Sequence, residues 1–217
     1  MSTLTVYPDA GYPGTTTCDG NISIATATWA GSRDATAGNS VTVDSPANIL
    51  MQARLDAVPE YLVTRGFFLV DASALTSAAN ISAATWSFAA NGAVFSNADL
   101  STIHLVSSTP ASNTTLVIGD FDQIGSTSFS SLAMASWVNT DHTYNDFALN
   151  ANGIANISKT GVSKFAARNS RDLDNSAPTG NNICSCYFAD QAGTTDDPKL
   201  VITYTLPGVP SGFFMMM

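Results

Sequence analysis

The sequence predicts an all-β chain: an antiparallel two-sheet jelly-roll β-sandwich with at most one or two short helices. Charged residues make up 12% of its 217 residues, against about 25% in ordinary globular chains. Ser, Thr, Asn and Ala fill the small and polar positions instead. Ten or more short runs rich in β-branched and aromatic residues alternate with Gly, Asn, Asp and Pro, the pattern left by stacked short strands and their turns.

Taken in order, Thr3 to Tyr7 alternates and stops at Pro8-Asp9, and Asn21 to Trp29 is rich in β-branched residues, so both read as strands. Val41 to Val43, Asn48 to Leu55 and Tyr61 to Val70 follow. The run NILMQARL has helical propensity, but it is short and follows Ser45-Pro46, which favours a strand. Asn80 to Ala90 leads into Asn91-Gly92, a strong two-residue hairpin signal, and then Ala93-Val94-Phe95. Ser101 to Ser107, Thr114 to Ile118, Tyr144 to Leu149, Ser163 to Ala167, Ile183 to Phe188 and Lys199 to Thr205 complete the strands. A weak helix is expected at Asn150 to Ser158, with Asn150 as its cap and Gly153 inside it.

No charged, Pro-rich or Gly/Ser-rich linker divides the middle, so residues 1–206 read as one domain and 207–217 as a Pro/Gly arm with an apolar end. Formal charge is −9 with eight Lys plus Arg, which leaves no basic patch for a phosphate backbone and excludes nucleic acid as the expected partner. Met1 to Tyr7 carries no Lys or Arg, and no apolar run approaches the roughly twenty residues that cross a bilayer. The expectation is therefore a chain neither exported by a conventional signal nor inserted in a membrane. Cys18, Cys184 and Cys186 cannot all pair within one chain. Reduced thiols fit assembly in a cytoplasm.

Residues that could carry chemistry are few. His104 sits within an apolar strand and His142 in a Thr-Asp-His-Thr loop, with no nucleophile motif near either. Cys184-x-Cys186 with a distant Cys18 does not supply a zinc site. No catalytic residue, metal ligand or cofactor is assigned. Asp120/Asp122 and Asp172/Asp174 place oxygens two residues apart in loops, either as calcium ligands or as turn formers bonding their own backbone, and the second reading is favoured. Arg65, Arg168 and Arg171 lie near Phe67-Phe68 and Phe165, and each is expected to pair with a carboxylate or lie over a ring. Trp86 alternates with Phe88 and belongs to the core, whereas Trp29 and Trp137 are open as sugar-stacking surfaces. Sequons at Asn21, Asn80, Asn113 and Asn156 arise easily in so Asn-, Ser- and Thr-rich a chain.

The order of segments carries a resemblance. Arg65 to Leu75 (RGFFLVDASAL), then Ile81 to Phe88 (ISAATWSF), then Asp197 to Tyr204 (DPKLVITY) resemble the successive strands of the disaggregatase-related, or DNRLRE-type, β-sandwich domains. These look like carbohydrate-binding modules and occur in bacterial surface and phage virion proteins. The resemblance covers roughly residues 3 to 205. It implies a jelly-roll sandwich without catalytic residues. The name-giving run has as its nearest counterpart Arg168-Asn169-Ser170-Arg171-Asp172, a departure that brings no glycan site with it.

The C-terminus breaks the pattern. Leu206 to Gly212 is punctuated by Pro and Gly, and Phe213, Phe214, Met215, Met216 and Met217 are wholly apolar. Burying those side chains releases about 5 to 10 kcal/mol before ordering costs, either on the chain's own sandwich or on a neighbour. The expected function is a structural subunit of a virion or other particle surface (decoration, fibre or filament) that docks through these residues to itself or to another coat or appendage protein, assembled in a host cytoplasm. The alternative is a glycan-binding adhesion module.

Overall fold

The computed structural model describes residues 1–43, 48–56, 60–190 and 193–207. These form β1 (Ser2–Val6), β2 (Asp19–Thr26), α1 (Trp29–Arg33), β3 (Ser40–Thr42), β4 (Ile49–Leu55), β5 (Tyr61–Asp71), β6 (Asn80–Asn97), β7 (Thr102–Ser107), β8 (Ser130–Ala133), β9 (Tyr144–Ala148), α2 (Ala151–Ala155), β10 (Val162–Asn169), α3 (Ser170–Leu173), β11 (Asn181–Cys186) and β12 (Lys199–Thr205). The all-β class holds, and the NILMQARL run is a strand. Three short α-helices stand where at most two were expected. α1 and α3 are four or five residues long, too short to leave a helical period, and their signals lie in caps: Thr28 accepts from Gly31 N–H, and Asn169 from Arg171 N–H.

The strands form a curled antiparallel sheet whose main path runs β1-β12-β6-β11-β4-β5-β10-β7-β8, with β9 beside β6 and β2 beside β5, carrying β3. The long strand β6 serves two neighbourhoods. Asn80 to Ala89 pair with β12 and β9, and Ala90 to Asn97 pair with β11. The Asn91-Gly92 pair lies at the changeover, so the expected hairpin is absent. Cys186 is registered with Ala90 and Cys184 with Phe95, so β6 carries extra residues there and bulges. The local chemistry is that of a turn all the same. Gly92 takes φ +65°, Asn91 Oδ1 accepts from Ala93 N–H and from the Ser185 hydroxyl, and Asn91 Nδ2 donates to Cys186 O. Long pairing on either side outweighs reversal.

The sheet curls around one main core. Alternation along β6 turns Ala84, Trp86, Phe88 and Ala90 inward, against Phe68 and Val70 of β5, Phe165 of β10 and Phe147 of β9. Phe68 and Phe88 rings are 4.7 Å apart, Trp86 and Phe165 5.3 Å, and Phe88 and Phe147 5.4 Å. Each such ring fully buried contributes about 1.5–3 kcal/mol. Trp86 is therefore a core residue, as its alternation predicted. Trp137 is also buried, and Trp29 is half-buried, its indole N–H donating to Asn175.

The outer face of β5 is covered as well. Phe67 and Leu69 pack with Cys18, Val106, Leu116 and Phe121 in a second apolar cluster. This double burial explains the unbroken apolar run FFLV, which has no polar face to alternate with. Covering it uses the segment read as a strand at Thr114 to Ile118. That segment instead leads into a 3-10 turn at Ile118–Asp120, because the Asp120 carboxylate accepts from Ala111 N–H and Val117 N–H, both at 2.9 Å. β8, with the neutral sequence SSLA, carried no strand signal.

Candidate functional site

Phe213, Phe214, Met215, Met216 and Met217, the residues expected to dock a neighbouring subunit, lie outside the described residues. The chemistry within them concentrates at two places.

The first is an arginine–aspartate node. Asn169 caps α3 and so fixes Asp172 one turn beyond Arg168. Both guanidiniums close on this one carboxylate: Arg65 and Arg168 each donate Nε to Oδ2 at 2.9 Å and Nη2 to Oδ1 at 2.7 Å. Arg65 also reaches the carbonyls of Phe121 and Arg33, and Arg168 that of Gly125. Asp172 O accepts from Arg33 Nε and Arg168 Nη2. Burial by itself would push the Asp172 carboxyl up, but hydrogen bonds and charge from Arg65, and then from Arg168, hold it below its ordinary value. Burial draws Arg168 down against the pull of Asp172. Arg65 lies 4.0 Å over the Phe121 ring, so the expected carboxylate and ring contacts both occur, with a ring distant in sequence.

An open cleft of about 250 Å³ adjoins the node, lined by Arg33, Asp34, Arg65, Asp122, Ile124 and Arg168. Most of the guanidinium donors at its wall are already committed, so the node ties β5, β10, α3 and the α1 end together. Asp120 and Asp172 act structurally, as turn former and ion-pair partner. Arg171 donates to Ser176 Oγ and Asp99 O.

His104, on β7, is half-buried and shares a 2.9 Å hydrogen bond with Ser128 Oγ; burial depresses its pKa. Its partner is a hydroxyl on a neighbouring loop, consistent with a structural side chain on a strand. All three cysteines are free and buried. Burial, then the charge of Asp19, pushes the Cys18 thiol up to about 12, and burial pushes Cys184 and Cys186 up as well.

The second place is an acidic corner where the starts of β2 and β12 and the end of β11 meet. His142, in the left-handed region at φ +62°, stacks on Tyr187 with ring centroids 5.4 Å apart. His142 Nδ1 lies 2.9 Å from Asp196 Oδ2 and Nε2 lies 3.3 Å from Asp141 Oδ2. The Tyr187 hydroxyl donates to Asp141 Oδ1 at 2.6 Å, and that bond, with burial, pushes the phenol up to about 12. Deeper in, Asp19 accepts from Ala189 N–H at 2.9 Å, and Asp190 accepts from Gly11 N–H. The Tyr144 hydroxyl faces Thr195 O and Asp197 O at 2.8 and 2.9 Å, and Lys199 Nζ sits 3.4 Å over the Tyr144 ring. Asp19 and Asp197 are 3% and 2% exposed. Burial, then the charges of Asp196 and Asp190, raises Asp197 to about 7; burial raises Asp19 well above its ordinary value.

Sequence reasoning passed over this corner because Asp9 and Asp19 are far from Asp190 and Asp197 in the chain, and Asp9, Asp19 and Asp197 each stand beside a Pro or Gly that reads as a turn. No protein-family model matches the chain, and no curated protein matches it. The fold and these two places define an all-β protein whose most fully engaged charges serve as structure.

Proposed function

We propose that the chain is a non-enzymatic structural protein of a virion or other particle surface, a decoration, fibre or filament subunit. It assembles in the host cytoplasm through the rims of its sheet and its apolar C-terminal residues. The curled sheet is on this reading a two-layer jelly-roll sandwich of the DNRLRE type, bent at β6.

One observation carries the proposal. The two strands that end the sheet path, β1 (STLTV) and β8 (SSLA), each pair with one neighbour among the described residues, and neither contains a charge or a proline. Monomeric proteins guard such rims with Lys, Pro or bulges, because the free N–H and C=O groups template another strand. Thr3, Thr5, Ser131 and Ala133 are exposed there, while Leu4, Val6 and Leu132 pack on the core. These rims suit β-augmentation by a second copy or another coat protein.

Sedimentation velocity on the full chain beside Thr5→Lys and Ser131→Lys tests this. The full chain should form a defined oligomer that at least one lysine variant dissolves. A full chain that is monomeric at every concentration, or variants that assemble unchanged, contradicts the proposal.

A second reading, a glycan-binding adhesion module, is favoured by one feature: the exposed His142–Tyr187 stack flanked by Asp141 and Asp196 offers a ring face beside carboxylate acceptors, the groups that hold sugars.

A further inference from the structure

We propose that the apolar groove where α2 meets the start of β6 receives Phe213 and Phe214 from a second copy of the chain. Resting on the assembly proposed above, this names the surface on which the C-terminal residues dock. Ile81 of β6, Ile154 and Ala155 of α2, and Ile157 line an open cleft of about 300 Å³, completed by Asn80 and Lys159. Ile81 and Ile154 are half-buried and Ala155 is exposed.

The groove suits an apolar guest. Asn150 Oδ1 accepts from Gly153 N–H and starts α2 there. Gly153 lets the helix lie close, since a Cβ on it would stand 2.8 Å from Phe129 Cβ. In a chain of formal charge −9 the lining holds no carboxylate. Its one ammonium, on Lys159, donates to the carbonyls of Ser77 and Ala79 at 3.4 and 2.8 Å, so its charge is already engaged. Isoleucine surface left in water is a cost that an aromatic side chain removes.

The course of the chain selects the guest. β12 runs antiparallel to β6 and registers Tyr204 with Ile81 and Thr205 with Asn80, so it delivers the chain to the mouth of the groove. The described chain stops two residues later at Pro207, and the apolar run Phe213 to Met217 follows Gly212. Arm length selects the neighbour. A chain's own groove begins one strand spacing from Thr205, about 4.8 Å, which two or three residues would cover. Eight residues separate Thr205 from Phe213, enough for about 26–29 Å, and Pro207 and Pro210 fix φ within them. Where two copies join antiparallel along their β1 rims with Leu4 at the centre, the neighbour's β6 lies four strand spacings across, about 19 Å, and its Asn80 about 20 Å along, some 28 Å in all. Each arm then reaches the other copy's groove, and the two-fold axis makes the exchange reciprocal.

The test uses the full chain with the photo-cross-linker benzoylphenylalanine in place of Phe213. Irradiation should give a band of doubled mass on a denaturing gel, and mass spectrometry should map the link to the peptides holding Ile81 or Ile154 to Ile157. Ile154→Lys in the same chain should weaken that band about ten-fold or more, because the tail would then dock against an unpaired charge. Ala155→Lys, at an exposed position, repeats the test without touching the core and should act in the same direction. A link confined to a chain's own groove, a doubled band that maps elsewhere, or a band unchanged in both lysine variants overturns the proposal. Sedimentation of the same samples separates the two failures: an oligomer whose tail links elsewhere refutes the groove alone, whereas a monomer at every concentration refutes the assembly as well.

Discussion

Arg65 and Asp172, 107 residues apart in sequence, meet through two parallel hydrogen bonds of 2.9 and 2.7 Å, and Arg168 repeats the same grip on the same two oxygens. The carboxylate side chain is 1% exposed and the Arg65 side chain 3%. Removing the shared partner strands two buried guanidiniums. Asp172→Ala should cost about 3–5 kcal/mol in denaturant unfolding, and Arg65→Lys should be a severe change too, since an ammonium cannot reproduce the fork. A loss below about 1 kcal/mol for Asp172→Ala would contradict the node's structural role.

The pH dependence follows from two depressed groups. Asp172 titrates in the folded chain below its ordinary 3.8, so its contribution is complete above that value and drains as pH falls through the lower folded value. His104, depressed below 6.5 by burial, favours the neutral ring in the fold, so its contribution is full above 6.5 and is lost as pH falls from there toward its folded value. Urea midpoints of wild type and His104→Gln across pH 4.5–7.5 should draw closer on the acid side than at pH 7.5. A difference independent of pH would contradict this assignment.

Thiol chemistry should be silent in the native chain. Cys18, Cys184 and Cys186 are buried with raised pKa values, and the thiolate is the reactive form. Ellman's reagent at pH 8 should label none within minutes and all three after denaturation. Rapid native labelling of one thiol would place it in an open microenvironment.

Two glycines separate close approach from open space. A Cβ on Gly14 would lie 1.6 Å from Thr17 O, in the loop braced by Asp9, whereas one on Gly119 meets nothing within 4 Å. Gly14→Ala should destabilise by about 2 kcal/mol or more and Gly119→Ala by less than about 0.5 kcal/mol. Equal melting temperatures for the two variants would show that the Gly14 loop does not hold this shape.

Strands were legible in the sequence where one face or both are apolar, as in β5, β6, β10 and β12, because period and composition agree there. β8 escaped notice because SSLA pairs through backbone alone. Thr114 to Ile118 misled because its Leu and Val have strand composition, while Asp120 three residues beyond Val117 redirects the backbone by side-chain capping. Asn91-Gly92 signals a chain reversal that does not occur, since a bulge with a left-handed glycine and a hairpin use the same dipeptide. The carboxylate and ring contacts of Arg65 were legible as residue types. The partners, Asp172 and Phe121, follow only from topology, as does the acidic corner.

The central claim, a particle-forming subunit, meets its most direct test in electron micrographs of the purified full chain over a rising concentration series, paired with a glycan array on the same sample. The account predicts a regular oligomer, ring or filament of constant repeat with no array signal. Isolated single domains at every concentration, together with saturable binding to a defined glycan class that His142→Ala abolishes, would contradict it and establish the adhesion module in its place.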